Sequence, residues 1–370
     1  MSNFYRDNDD LQFYLERGVD WEPIVELTEN GFSYEDGFDD TEEAIDFYES
    51  VLEMVGRFVA EEVAPHAMEM DREGLELVDG EVEEPEVFDQ IFDQIEELEL
   101  HGLCLPRELG GMNCPMLLYT LTTELFARAD VSVSHHHGFH GGMAVALLAY
   151  SVSEGTTEFD EEGRVVSTRF ENAIEEIIAG EAWGSMDITE PGAGSDLSKL
   201  RTKGYLDEDG QWRVDGQKIW ITSGHGKYHV VLARTEEDEE GLDALSTFLV
   251  QTYEEDEEGE RVRHATVERL AEKMGHHASA TCVVRFDETP AQLIGERGDG
   301  FRNMLLLMNN ARVAVGIESV GVCEDAFRLA RDYAEQRETM GKPIARHEMI
   351  ADYLDEMKTE IQGMRALGIH

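Results

Sequence analysis

The chain is poor in several things at once, and each shortage excludes a class of protein. Its 370 residues include four cysteines, Cys104, Cys114, Cys282 and Cys323, with no Cys-x-x-Cys pair among them. Neither a disulfide framework nor a four-thiolate metal site is indicated, and a reduced, cytoplasmic setting fits. No lysine occurs before Lys199, and 30 basic residues face 81 acidic ones for a net charge of −51. Such a surface repels nucleic acid and anionic lipid. Long apolar runs are missing too: the most apolar stretch, Gly141 to Tyr150, is too short to span a bilayer. The opening, Met1 to Asp10, lacks the basic and apolar regions of a signal peptide, so a soluble, unexported protein is expected.

What is present points to a folded chain. The acids are interleaved with periodic apolar residues, and 41% of the sequence is hydrophobic, which sets it apart from a disordered acidic tail. Dispersed carboxylates with scarce lysine suggest adaptation to high salt, where a Debye length of about 3 Å at 1 M relieves self-repulsion. The length predicts two or three structural units.

Periodicity divides the sequence into an α+β multidomain arrangement: an extension over residues 1–40, a helical domain over 41–182, a β-barrel or sandwich over 183–290, and the start of a helical bundle over 291–370. Ile45, Tyr48, Val51, Leu52 and Val55 recur at helical spacing, as do Phe88, Ile91, Phe92 and Ile95. Asp40 or Thr41 is placed to cap the first of these helices. Leu11 to Leu27 has helical character and is expected to lie outside the main helical unit, and Ser153 to Val165 reads as a loop. From Trp183 the period becomes that of strands, at Gln211–Thr222, His229–Ala233, Thr247–Gln251 and Thr281–Phe286, with turns expected at Asp207–Gly210 and at Asp215-Gly216. After Gly300 a helical stripe runs through Met304, Leu307, Met308, Ala311, Val315, Glu318, Val322 and Phe327, and a second helix is expected from about His347 to Leu367. The acidic runs at 236–240 and 254–258 read as solvated loops.

Three segments carry chemistry, each with a plainer alternative. Met186-Asp187-Ile188-Thr189-Glu190-Pro191-Gly192-Ala193-Gly194-Ser195-Asp196 offers hydroxyls and a glycine-rich backbone to a ligand edge or phosphate, although glycine-rich loops are more often tight turns. It has neither the Walker nor the dinucleotide-fold glycine spacing. In Asp215-Gly216-Gln217-Lys218-Ile219-Trp220-Ile221-Thr222, strand alternation puts Trp220 and Thr222 on one face, suited to a flat heteroaromatic ring; the alternative is an ordinary core tryptophan. In Arg337-Glu338-Thr339-Met340-Gly341-Lys342-Pro343, two cations at a helix end suit phosphates, or else Gly341 stops the helix as a C-cap.

In this order the three segments resemble the acyl-CoA dehydrogenase family, over roughly residues 41 to 370. The opening residues, Gln12-Phe13-Tyr14-Leu15 and Trp21-Glu22-Pro23-Ile24, look like its longer-chain branch. The resemblance implies a helical domain, a β domain and a helical bundle binding FAD, with Met186, Ile188, Thr189, Trp220 and Thr222 at the flavin. Arg337 and Thr339 would reach the FAD pyrophosphate of a neighbouring subunit in a homodimer or homotetramer. Ser195 and Arg312 would meet the acyl-CoA substrate. It further implies α,β-dehydrogenation of an acyl thioester to a trans-2-enoyl-CoA, with hydride passing to FAD and electrons on to an electron-transfer flavoprotein. An acyl-CoA oxidase and a non-catalytic binding subunit are the competing readings. The family's usual base position lies beyond His370, and its alternative position, just before Arg312, holds Ala311. Glu318 reads as structural, and the catalytic base is left unassigned. The run His135-His136-His137-Gly138-Phe139-His140 has no spacing that would converge on one ion, so no metal is expected.

Overall fold

A computed structural model describes residues 2–236, 241–255 and 261–370. Most of the two acidic runs at 236–240 and 254–258 falls outside the described residues. The principal helices are α1 (Thr41–Phe58), α2 (Glu86–Glu97), α3 (Met116–Ala129), α4 (Val131–Glu154), α5 (Glu171–Ile178), α6 (Gly300–Gln336) and α7 (Glu348–Ile369). The principal strands are β1 (Gly184–Asp187), β2 (Lys203–Leu206), β3 (Trp212–Thr222), β4 (Tyr228–Arg234), β5 (Leu245–Gln251), β6 (Ala265–Leu270) and β7 (Thr281–Ile294). The chain forms two compact units, each discontinuous in sequence. One comprises 1–67, 114–134 and 311–370, and the other 68–113 and 135–310.

In the helical unit, Asp40 caps α1 by accepting from Glu43 N–H at 3.0 Å, while Glu43 accepts from Asp39 N–H at 2.8 Å. The expected cap is therefore present, with a reciprocal bond of the capping-box kind. The first forty residues do not stand apart as expected. Arg128 on α3 binds Asp7 through both guanidinium nitrogens, at 2.5 and 2.9 Å, and its Cζ lies 3.7 Å from the Phe4 ring centre. Gly56 lets the opening strand of chain lie against α1, since a Cβ there would sit 2.6 Å from Tyr5 N.

On α6 the buried residues past 311 are Ile317, Glu318, Val320, Gly321, Glu324 and Ala334, while Val315 and Val322 of the expected stripe are exposed. Gly321 allows a close approach to α3, where a Cβ would lie 2.6 Å from Glu124 O, and the contact line passes through Gly321 beside Glu318 rather than through Val315 and Val322. Arg365 of α7, fully buried, closes the unit. It donates to Glu124 on α3 (Nε 2.8 Å, Nη2 2.7 Å), to Glu324 on α6 (3.0 Å) and to Asp10 (2.6 Å). By length and composition α6 is the one described helix apolar enough to cross a membrane. That test is also passed by core helices of soluble proteins, and Met304 and Leu307 of α6 are buried in the core of the β-containing unit.

In the β-containing unit, β7 pairs with β6, β3 and β5, β3 pairs with β2, β2 bridges to β4, and β4 pairs with β5. The circuit β7–β3–β2–β4–β5–β7 closes, so the sheet is a barrel, and β1 extends it by pairing parallel to β4. Alternation along β4 explains why this strand is apolar throughout. Val231 and Ala233 face the barrel interior with Phe248, Cys282 and Phe286, whereas Val230 and Leu232 pack outward with Leu147 of α4 and Ile174 of α5. The turn at Asp207–Gly210 is present, with Asp207 N–H bonded to Gln211 O at 2.9 Å. Asp215-Gly216, expected to turn, instead lies inside β3. Gly216 is needed there for proximity, because a Cβ would meet Thr202 Cα at 2.7 Å. The expected loop at 153–165 holds the end of α4 and most of a short hairpin, Glu158–Phe159 with Val165–Ser167.

Candidate functional site

The first motif forms the end of β1 and a tight turn. Glu190 and Ala193 exchange both backbone hydrogen bonds, at 3.0 and 3.1 Å, around Pro191-Gly192. Neither Gly192 nor Gly194 takes a left-handed backbone, and no chain atom lies within 4 Å of a Cβ built at either. Conformation and internal crowding thus place no demand for glycine here; what the glycines leave is open space beside exposed backbone and the exposed Ser195. Met186 and Ile188 pack into the apolar cluster beneath, and Thr189 is half-buried.

The second motif is bolted to the first. Lys218 of β3, fully buried, donates from Nζ to Glu190 Oε1 (3.0 Å), Ile188 O (3.0 Å) and Leu232 O (2.7 Å). Glu190 also accepts from Arg201 N–H at 2.7 Å and Thr202 N–H at 2.9 Å. Burial pushes the Lys218 ammonium down to about 8, against the opposing pull of Glu190. Burial works against the Glu190 carboxylate too, but Lys218 and the hydrogen bonds from Thr202 and Arg201 hold its pKa below the usual range. The pair is ionised at neutral pH and joins the turn to the strand. Sequence reading missed this role, since a motif lysine and a motif glutamate 28 residues apart carry no local mark of pairing.

Two residues beyond Lys218 the strand bulges. Lys218 pairs with Val284 and Ile221 with Cys282, so three steps on β3 match two on β7. Trp220 takes φ +62°, which a bulky L residue adopts only under constraint, and it is 59% exposed. In an unbroken strand Trp220 would follow Val214 and Lys218 inward; the bulge gives that place to Ile221 and turns the indole out, so the core-tryptophan alternative does not hold. Trp220 and the half-buried Thr222 flank inward-facing Ile221, and Ile219 N–H bonds Thr189 O at 2.9 Å. Met186, Ile188, Thr189, Ser195, Trp220 and Thr222 therefore all belong to one unit.

Arg312, Arg337 and Thr339 belong to the helical unit. The third motif is not a helix C-cap. The helix ends at Gln336, and Glu338–Thr339 pairs with Lys342–Pro343 in a hairpin whose turn residues Met340 and Gly341 both have positive φ. Lys342 Nζ donates to Arg346 O at 2.7 Å, so its charge serves the hairpin, and Thr339 Oγ1 meets His347 Nε2 at 3.1 Å. Arg337 is exposed, and Arg312 lies exposed on α6.

Glu318 is buried and takes a hydrogen bond from Ser134 at 3.1 Å. Burial pushes its carboxyl up to about 7 from an ordinary 4.5, the Ser134 bond only partly opposing this. Because the folded state holds this proton more tightly than the unfolded chain, the group's contribution is complete below pH 4.5 and is lost as pH rises to about 7. Glu318→Gln removes the titration while keeping an acceptor for Ser134. The variant is expected to gain on the parent by about 3 kcal/mol between pH 4.5 and 8, measured as the difference in chemical-denaturation free energy. A difference that does not change with pH would disprove the assignment.

Two further polar groups lie inside the β-containing unit. Ser185, Asp187 and His229 are mutually bonded, with Ser185 Oγ at 2.6 Å from Asp187 Oδ1 and 2.8 Å from His229 Nδ1. This is not a nucleophilic triad. Serine and aspartate share one ring nitrogen, Nε2 is taken by Thr252 at 2.7 Å, and Ser185, Asp187 and His229 are fully buried. A histidine cluster surrounds α4, where burial holds His136 and His137 at about 4, neutral at physiological pH.

The sequence matches three descriptions from one family: "Acyl-CoA dehydrogenase, N-terminal domain" over residues 46–158, "middle domain" over 185–289 and "C-terminal domain" over 298–370. It is 32% identical to the 3-methylmercaptopropionyl-CoA dehydrogenase of Ruegeria pomeroyi across 97% of this chain, and spans 60% of that protein's length. Among solved structures, an acyl-CoA dehydrogenase from Geobacillus kaustophilus superposes with TM-score 0.71 at 25% identity, covering 89% of this chain and 78% of the other. One from Bacillus anthracis, complexed with FAD, has TM-score 0.70 at 22% identity over 87% and 50% of the two chains, a likeness of fold.

Proposed function

Because this chain belongs to the acyl-CoA dehydrogenase family, we propose that it binds FAD and takes part in α,β-dehydrogenation of an acyl-CoA thioester to the trans-2-enoyl-CoA. The observation that carries this reading is the outward Trp220, held at an unfavourable backbone angle beside Thr222 and hydrogen-bonded through its neighbour Ile219 to Thr189. Strain kept at a bulge is retained where the displaced side chain has work to do. Here the indole packs on the isoalloxazine ring, Thr189 and Thr222 offer hydroxyls to its edge, and Met186 and Ile188 line its margin. Bound FAD supplies the hydride acceptor. The open space at Gly192 and Gly194 fits the close passage of a ligand, and Ser195 meets the CoA portion of the substrate; Arg312, in the helical unit, is assigned to substrate binding by the family resemblance alone. Exposed Arg337, with Thr339, serves the pyrophosphate of an adjoining protomer's FAD, which makes the working form a homodimer or homotetramer. An electron-transfer flavoprotein is the expected acceptor.

Similarity to the Ruegeria protein across 97% of this chain supports the branch with an N-terminal extension, since the match takes in the opening residues. No base is assigned: Ala311 occupies the family's alternative position, and Glu318 serves as a buried structural acid. Anaerobic addition of acyl-CoA thioesters of several lengths to the FAD-loaded protein tests the reading. Bleaching of the flavin band is expected. A spectral shift without bleaching would instead mark a binding subunit, and rapid reoxidation by air an oxidase.

The acidic surface supports a cytoplasm rich in salt as the working environment. With a net charge of −51, self-repulsion opposes the compact state until counterions screen it. The melting temperature is expected to rise steeply between low and molar KCl, read by circular dichroism, and a flat response would remove the halophilic reading.

A further inference from the structure

The histidine run on α4 does not converge on an ion by itself, but the fold brings partners to it from two distant segments. Glu84 lies between the short strand Glu81–Glu83 and the start of α2, and His225 sits in the turn between β3 and β4. The ligand atoms of Glu84, His136 and His225 all lie within 4.8 Å of one another. His225 Nε2 is 3.2 Å from Glu84 Oε1, a sequence separation of 141 residues. Ser223 Oγ holds His136 Nδ1 at 3.1 Å, an outer contact of the kind that fixes the orientation and tautomer of a ligating imidazole.

The surroundings supply the second observation. His140, 3% exposed, has neither ring nitrogen hydrogen-bonded, and its ring centre is 5.1 Å from that of His136. His225 Nδ1 and His101 Nδ1 are likewise buried without a partner, and His101 stacks on His140 at 4.0 Å. Polar atoms inside a protein are nearly always paired, so four unpaired imidazole nitrogens within one cluster of packed histidine rings call for an explanation. An ordinary apolar core would fill this volume with leucine or phenylalanine at no such cost.

We propose that Glu84, His136 and His225 bind one divalent transition-metal ion of the zinc class, with His140 beside them as a further nitrogen donor. The donor set decides the class. Two imidazoles and a carboxylate suit Zn²⁺ and its neighbours; magnesium and calcium take oxygen ligands, and soft ions take thiolates. The site ties the segment before α2 to α4 and to the β3–β4 turn, so the ion braces the unit that carries Trp220 and Thr222. It does not depend on the flavin reading.

The test loads the full-length protein in molar KCl. After stripping with a chelator, protein is incubated with Zn²⁺, desalted, and its zinc measured by mass spectrometry. The parent is expected to retain about one zinc per chain and to melt at higher temperature with zinc than without. Glu84→Gln and His225→Gln are expected to retain almost none and to show no zinc-dependent shift. Retention of zinc by the variants equal to the parent would mean that surface carboxylates hold it and would overturn the proposal. So would a stripped parent that takes up none, whatever the variants do. If a variant fails to fold, Co²⁺ loading of the parent decides: the visible d–d bands of a nitrogen- and oxygen-ligated ion support the site, and the spectrum of hexa-aqua cobalt refutes it.

Discussion

Arg365→Met is expected to destabilise the protein by about 3–5 kcal/mol, because it strips the cation from a buried cluster and leaves its acids facing one another. Burial opposes the charge on Arg365, but hydrogen bonds and attraction from Glu124 and Glu324 outweigh it and hold the guanidinium protonated. The partners differ in what remains to them. Glu324 keeps Arg328 at 2.6 Å, and Asp10 is partly exposed, while Glu124 keeps only a 3.4 Å contact from Asn8 Nδ2. The loss should therefore concentrate on Glu124, and Arg365→Met/Glu124→Met should recover much of it, since removing both halves of a buried pair removes the uncompensated charge. The denaturant midpoint of the single and double variants in molar KCl measures both effects. A single variant within about 0.5 kcal/mol of the parent would show that the cluster contributes nothing.

Lys218→Met is expected to cost a similar 3–5 kcal/mol and, unlike the first case, to resist rescue. The lysine neutralises Glu190 and also satisfies the carbonyls of Ile188 and Leu232, so Lys218→Met/Glu190→Gln still leaves two buried backbone acceptors without their donor. On the flavin reading this substitution also loosens the turn at 188–196 from β3, leaving the Ile219 N–H to Thr189 O bond as its remaining tie, and Thr189 is held less firmly beside Trp220. FAD should then be lost on dialysis that the parent survives. A variant that holds FAD as tightly as the parent would separate the clamp from the cofactor.

The helices and strands were largely legible because their cause is local. Tyr48, Val51, Leu52 and Val55 repeat at the helical period and are buried on one face of α1, and Asp40 caps it. The apolar strand at 229–233 was readable as a strand, although its two buried faces were not, since alternation has no contrast when both sides are apolar. Errors arose where a long-range contact overrode a local signal. Asp215-Gly216 has turn chemistry, yet the glycine serves the approach of Thr202, and the stripe on α6 yielded to the closer packing allowed by Gly321.

Sequence alone determined the acidic surface, the order of helices, a β unit and helices, and the three motifs, because charge, periodicity and spacing are properties of neighbouring residues. Only the tertiary structure decided that Trp220 faces outward, that Lys218 finds Glu190, that Arg365 finds Glu124 across 241 residues, and that Glu84 and His225 meet His136. These are pairings of groups far apart in the chain. Their strength comes from removal from water, which no residue acquires until the core has closed around it.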